Sequence, residues 1–336
     1  MTVRWGIIGC GDVARKRVAG AIQEEPRSEL VSVCRRDQVK LDEFVAEFSV
    51  PHGTASAEEM IASPDIDAVY IATPVNLHRP QTIAAAQAGK HVLVEKPMAM
   101  STTECDEMIS VCREHNVKLG IAFYRPFYPV IHRMRELFEA GEIGTVLSVS
   151  AVTATPFAID PKEDGYWRVI PEFGGGGALM DIGSHRLDLF LTLFGPIVGT
   201  APDGNGSGVK AFCGTVAADY EADDLAHLIV QFESGVHGSL SCCFGSTVDP
   251  DEFAILGTKG RLVSRPLNGG ELLIEKAGSS GPQTTVEQHP PSANFNAPLI
   301  SDFVTSILRN DVPAVPGEQG RNVNRVMELA YVSSNS

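Results

Sequence analysis

No apolar run in this chain approaches the ~20 residues that a membrane-spanning helix needs. Nor does the N-terminus carry the basic and apolar regions of a secretory leader; it moves directly into a strand pattern. A cytoplasmic location, away from membranes, is the expectation. Cysteine pairs at CxxC spacing are also missing. The seven cysteines, at 10, 34, 105, 112, 213, 242 and 243, are odd in number, and several lie in apolar strands or on helices, where cysteine acts as a small hydrophobe. Reduced thiols are therefore expected, with no disulfide framework and no metal site. Positive charge is scarce: 27 Lys and Arg against 42 Asp and Glu leave a formal net charge of −15. Nucleic acid needs a basic face to neutralise its phosphates, so that class of partner is set aside. Arg15-Lys16-Arg17 is the main local exception and reads as a solvated helix face. No internal repeat is visible.

What is present is an ordinary globular composition, 43% hydrophobic and 21% charged, in 336 residues. That length exceeds one ordinary core and implies two domains. Strands at Val3 to Ile8, Leu30 to Cys34, Ala68 to Ala72, Val92 to Val94 and Lys118 to Phe123 alternate with helical patterns at Val13 to Gln23, Gln38 to Phe48, Arg79 to Ala88 and from Ser101 to His115. Gly89 ends one helix and Ser101-Thr102-Thr103-Glu104 opens another as a capping box. Such alternation predicts right-handed crossovers and a doubly wound parallel sheet. After Tyr124 the pattern changes to one helix, Val130 to Ala140, and strands at hairpin-like spacing: Thr145 to Thr155, Leu225 to Phe232, Val236 to Cys243, Glu252 to Gly257 and Gly260 to Ser264. Pro202 to Gly208 and Gly278 to Asn296 read as loops, and a final helix covers Val323 to Tyr331. The fold class is α/β: residues 1–123 are expected to form a domain with a doubly wound parallel sheet, and 124–336 a second domain with a mostly antiparallel sheet.

Gly9-Cys10-Gly11-Asp12-Val13-Ala14 follows a strand and opens a helix, fitting G-x-G-x-x-A. The glycines allow a tight turn and close backbone approach, while the helix N-terminus faces a pyrophosphate. At the end of the second strand stand Arg35 and Arg36. A guanidinium there suits a 2′-phosphate, which favours NADP; the rival reading makes Asp37 the ribose ligand, with NAD as cofactor.

His91-Val92-Leu93-Val94-Glu95-Lys96-Pro97 is a buried strand that stops abruptly at proline. Glu95 and Lys96 therefore stand at the carboxyl edge of the sheet, where open α/β folds bind ligands. A second run, Gly174 to Asp188, leads from four glycines into a helix. Asp181 and His185 are four residues apart, on one face. Histidine exchanges protons near neutral pH, and a carboxylate one turn away can set its tautomer or hold a substrate hydroxyl. A structural Asp–His contact explains the spacing equally well.

Together with Ala72-Thr73-Pro74-Val75-Asn76-Leu77-His78 and Tyr166-Trp167-Arg168, these segments resemble the Gfo/Idh/MocA oxidoreductases over nearly the whole chain. The resemblance implies that 1–123 is a Rossmann domain and 124–336 an α+β domain with an open, mostly antiparallel sheet. It also implies hydride transfer between a nicotinamide and a sugar, polyol or related cyclic alcohol held between two domains. By position, Lys96 would bind the nicotinamide side and the reacting oxygen, with Asp181 and His185 completing the polar cluster. Ala72, Thr73, Asn76, His78 and Glu95 would contact the cofactor, and Trp167 and Arg168 its nicotinamide half. His78 capping the next helix, and Trp167 as core packing, are the plain alternatives. Many relatives carry asparagine where this chain has Tyr124, which puts that cofactor contact in question. The resemblance also implies a homo-oligomer, a dimer or tetramer. Specificity is expected from second-domain loops near Phe157 to Tyr166 and Asn294 to Asn296. Redox-assisted glycoside cleavage or epimerisation with retained cofactor, and a non-catalytic NADP-binding regulator, are the alternative functions.

Overall fold

Six short strands carry roughly the first third of the chain in the computed structural model, which describes residues 1–157, 160–201, 204, 208–278 and 281–335. They are β1 (Val3–Ile8), β2 (Ser28–Cys34), β3 (His52–Thr54), β4 (Ala68–Ile71), β5 (His91–Val94) and β6 (Leu119–Ile121). All pairings are parallel, in the order β3-β2-β1-β4-β5-β6. β4 is buried along its whole length, and β1 and β5 nearly so, as expected for strands with helices on both faces. The order reverses between β1 and β4, which makes their carboxyl ends the ligand-binding crevice of such a sheet.

The second sheet has eight strands: β7 (Val146–Thr155), β8 (Val209–Gly214), β9 (Leu225–Gln231), β10 (His237–Phe244), β11 (Asp251–Gly257), β12 (Gly260–Ser264), β13 (Glu271–Gly278) and β14 (Gly281–Gln288). Their order is β14-β13-β12-β11-β7-β10-β9-β8. Only the β7–β10 pair is parallel; the rest are antiparallel. One face is packed and the other is not. Phe212, Ile229, Val152 and Leu256 are exposed, and the strand register places them on a common side.

Two compact units result: Met1–Tyr124 with Ser292–Arg321, and Arg125–Pro291 with the chain from Asn322 onward. The sequence reading left all of 124–336 in the second domain. Ser292–Arg321 belongs with the first because Phe303, on the helix Ala297–Arg309, packs its ring on Trp5 at 5.7 Å and against Gly120, where any Cβ would strike it. Asn294 to Asn296, expected among the second-domain loops, lie in the first unit too. The loop expected at Gly278 to Asn296 also needs correction, since Gly281–Gln288 pairs with β13 from Glu271↔Gln288 to Gly278↔Gly281. The final helix runs from Gly317 to Ser334, longer than expected. Pro202, Asp203 and residues 205–207 of the other expected loop lie outside the described residues. Among the described residues no helix is long and apolar enough to cross a membrane.

Candidate active site

The glycine loop after β1 is built by backbone. Gly9 has φ +96°, a left-handed value that side chains resist. A Cβ there would sit 2.6 Å from the carbonyl oxygen of Ala72, just beyond β4. Gly9 N–H donates to Cys34 O at 3.0 Å, closing the loop onto the end of β2. Gly11, by contrast, has nothing within 4 Å of where a Cβ would lie. The helix that follows starts with no side-chain cap and passes through a π-helical stretch at Ala14–Val18. An open glycine before uncapped N–H groups is the cradle an anion requires. Cys10 and Cys34 are both buried in this turn, and burial pushes their thiols up to about 12 and about 11. They are inert packing groups rather than nucleophiles.

Arg35 leaves β2 with its amide on Thr54 O at 3.1 Å and a guanidinium N–H on the carbonyl of Cys10. Arg36 is exposed beside it. The Asp37 carboxylate is already engaged: it caps the helix Gln38–Phe48 by accepting the Lys40 N–H at 3.1 Å. The carboxylate that the rival reading assigned to the ribose therefore has a local partner.

Beyond β4, the Thr73 hydroxyl pairs with Gln81 Oε1 at 2.7 Å. Asn76 is half-buried, and its Oδ1 is enclosed without a hydrogen-bond partner among the described residues. An orphaned acceptor is costly unless a ligand supplies the donor. The orphan, the open Gly11 and the uncapped helix start all fit a bound dinucleotide. His78 is turned the other way. Its ring is buried, with Nε2 2.9 Å from Thr73 O and Nδ1 3.0 Å from Pro97 O. Burial lowers the imidazole below its ordinary range, and the side chain ties the β4 turn to the β5 turn instead of capping its helix.

That β5 turn carries Glu95 and half-buried Lys96, and the Lys96-Pro97 peptide is cis. Glu95 N–H continues the ladder to Ile71 O at 2.9 Å. The Glu95 carboxylate accepts the Tyr70 hydroxyl at 2.6 Å and the Lys96 N–H at 3.2 Å. Tyr124 is buried and stacks on Phe295 at 5.9 Å, while the Arg17 guanidinium lies 5.1 Å from the Tyr124 ring and 5.3 Å from the Phe295 ring.

The second unit holds Asp181 and His185. The expected single α-helix is instead a π-helical turn, Leu179–Gly183, running into Ser184–Phe194. Single π turns recur at functional sites because they re-aim side chains. His185 is buried and Asp181 half-buried, with Arg168 Nε 4.0 Å from the Asp181 carboxylate. Arg168 lies 5.0 Å from the Trp167 ring. What holds this turn has no local signal in the residue pattern. Asp223, before β9, accepts the N–H groups of Gly177 at 2.8 Å and Leu179 at 2.9 Å, and the Tyr331 hydroxyl at 2.7 Å. Gly177 is obligatory, because a Cβ would overlap the Asp223 carbonyl. Behind the helix, buried Arg186 pairs with Asp251 and reaches Thr153 at 3.3 Å. Among the described residues no cluster of His, Cys, Asp and Glu could hold a metal ion.

A 3-2-1-4-5-6 parallel sheet with this glycine loop, in a chain whose second unit bears Asp181 and His185, defines an oxidoreductase with a nicotinamide-binding Rossmann domain. Comparison with known proteins agrees. Residues 3–123 match the model of the oxidoreductase family with an NAD-binding Rossmann fold, and residues 131–263 that of the GFO/IDH/MocA C-terminal domain. The chain belongs to the GFO/IDH/MocA oxidoreductase family. It is 29% identical to 1,5-anhydro-D-fructose reductase of Ensifer adhaerens, covering 94% of this chain and 92% of that protein. It is 30% identical to trans-1,2-dihydrobenzene-1,2-diol dehydrogenase of Mus musculus, covering 77% and 74%. Among solved structures, aldose-aldose oxidoreductase of Caulobacter crescentus, complexed with glycerol, matches with a TM-score of 0.86 at 27% identity, over 100% of this chain and 98% of that one.

Proposed function

We propose that this protein transfers hydride between NADP(H) and a secondary carbinol or ketone carbon of a sugar, polyol or related cyclic alcohol. The observation that carries the reading is Lys96, a cation at the carboxyl edge of the dinucleotide-binding sheet, in a chain that also presents Asp181 and His185 on one helical turn. The activities of the two relatives, on an anhydro-sugar and on a cyclic diol, support the substrate class.

The nicotinamide, when bound, supplies or accepts the hydride. Oxidation of a carbinol also requires loss of its hydroxyl proton, and His185 takes that proton as the base; in reduction it returns it as the acid. Lys96 stabilises the negative charge that develops on the same oxygen, and the two share the proton relay. Asp181 orients a substrate hydroxyl, its carboxylate balanced by Arg168. Gly9, Cys10, Gly11, Asp12 and Val13 would hold the pyrophosphate, Ala72, Thr73 and Asn76 would contact the cofactor, and Trp167 and Arg168 are assigned to its nicotinamide half. Arg35 and Arg36 take the 2′-phosphate; what favours this over NAD is the Arg35 guanidinium at the glycine loop and the prior engagement of Asp37. The cytoplasm suits its seven free thiols, five of them buried. The exposed Phe212, Ile229, Val152 and Leu256 support a homo-oligomer that pairs through that sheet face.

A screen of sugars and polyols with both dinucleotides, read by nicotinamide absorbance, tests the reaction. Net absorbance change with a free sugar or polyol supports it. Glycoside cleavage without such a change refutes it in favour of the redox-assisted alternative. Arg35→Ala tests the cofactor: it weakens NADP far more than NAD, and equal effects on both would refute the preference.

A further inference from the structure

Glu95 stands next to Lys96, yet its side chain is turned into the first unit. Its carboxylate accepts the Tyr70 hydroxyl at 2.6 Å and the Lys96 N–H at 3.2 Å. Tyr70 is buried in β4, and its hydroxyl lies 3.4 Å from Asn296 Nδ2. Asn296 is itself buried, in the segment that returns to this unit from far along the chain. Asn294, two residues before it, donates to the backbone carbonyl of Arg17 at 2.8 Å. The turn that ends β5 is thus tied to β4, and β4 to residues 294–296. A network of this kind reaches across 226 positions of sequence and has a polar group at each step, an expensive arrangement for a site with no task.

We propose that Glu95 is a positioning residue for Lys96: held by Tyr70 and Asn296, it fixes the turn and supplies the negative charge that the lysine ammonium faces. This rests on the assignment of Lys96 to the reacting oxygen, and it gives Glu95 a task other than direct cofactor contact. The charged and titratable groups that face the carboxylate are Lys96 on its own turn, Tyr70 on β4 and Arg17 on the helix after β1. Burial raises the carboxyl group above its ordinary range, while Lys96, the Tyr70 hydroxyl and Arg17 oppose that rise by favouring the ionised form. Removing any of the three therefore makes Glu95 easier to protonate.

The test uses the whole protein without substrate. Glutamate is labelled with 13C, and the Glu95 carboxyl resonance, identified by its loss in Glu95→Gln, is followed against pH. Lys96→Met, Tyr70→Phe and Arg17→Gln each move its midpoint upward, by most in Lys96→Met. A midpoint in Lys96→Met equal to wild type would overturn the inference, since the two groups would then not sense each other. Tyr70→Phe fills the same space and keeps the test decisive if a charge change disturbs folding. With a turned-over substrate, Glu95→Gln lowers kcat about tenfold, the worth of one pK unit, and leaves the dinucleotide Kd unchanged. A raised Kd with normal kcat would make Glu95 a cofactor contact and sink the proposal. If wild type transfers no hydride at all, the reaction assignment fails while the titration still decides on Glu95.

Discussion

The two units hold their functional groups by different means. In the first, Gly9, Arg35, Thr73 and Lys96 each stand within two residues of the carboxyl end of a strand, so the topology of the sheet delivers them together. In the second, Asp181 rides on a π-helical turn and His185 on the helix it runs into, secured by Asp223, Tyr331 and the Arg186–Asp251 pair, partners 44 to 108 positions apart. A site made of strand ends is as stable as its sheet. A site made of one turn depends on a few buried side chains, and each of them is a point of failure.

The largest expected effect separates the two. His185→Ala lowers turnover by about 10²–10⁴-fold, the range of a positioned acid–base group, and leaves dinucleotide binding intact. Lys96→Ala likewise abolishes hydride transfer without loss of binding. Gly9→Ala does the reverse, abolishing binding because its Cβ would meet the Ala72 carbonyl. Titration of dinucleotide fluorescence alongside steady-state rates checks all three. Near-normal turnover in His185→Ala or Lys96→Ala would sink the assigned roles. Loss of binding in His185→Ala would break the comparison, since the halves would then not fail independently.

Next in size is the anchor behind the catalytic helix. Asp251→Ala takes the carboxylate away from the buried Arg186 guanidinium and costs about 3–5 kcal/mol, as breaking a buried pair does. The double change Arg186→Met with Asp251→Ala costs less than Asp251→Ala alone, because no uncompensated charge remains. Denaturant unfolding measures both. An equal or larger loss in the double variant would show that the pair is a net stabiliser and not only a constraint on geometry.

This difference also explains what could be read from residues alone. The strand–helix alternation of the first unit, except for short β3, the glycine loop and the place of Lys96 after β5 were legible, since apolar runs of four to six residues, glycines and a proline mark them directly. The helix that carries Asp181 and His185 was legible, but the π turn was not, because helical periodicity does not distinguish a turn with one extra residue. Asp223 and Tyr331 carried no local signal; their role exists only once the chain is folded. Tyr70 was hidden inside a run of apolar residues, Ala68–Ile71. β14 was misread for a physical reason too. Gly281–Gln288 begins Gly-Pro, is mostly polar, and has only one bulky apolar side chain, Val286, itself exposed. An edge strand with no buried face has no alternation to display.

What pins that edge strand gives the smallest expected effect. The Glu287 carboxylate accepts two hydrogen bonds from the Arg133 guanidinium, at 2.9 and 3.1 Å, and lies 2.7 Å from His289 Nε2. Arg133, with a lesser contribution from His289, holds the carboxyl group down at about 2. The folded state binds this proton less readily than the unfolded chain does. The stabilisation is therefore fully present above the ordinary carboxylate range near 4.5, and it fades as pH falls toward 2. Because both partners are partly solvated, the pair contributes about 1 kcal/mol or less. Arg133→Ala is expected to lower the midpoint of thermal unfolding slightly at pH 7, with the gap from wild type closing as pH drops from 4.5 toward 2. A gap that stays constant over that interval would mean that packing of the arginine stem, not the ion pair, ties the edge strand to its helix.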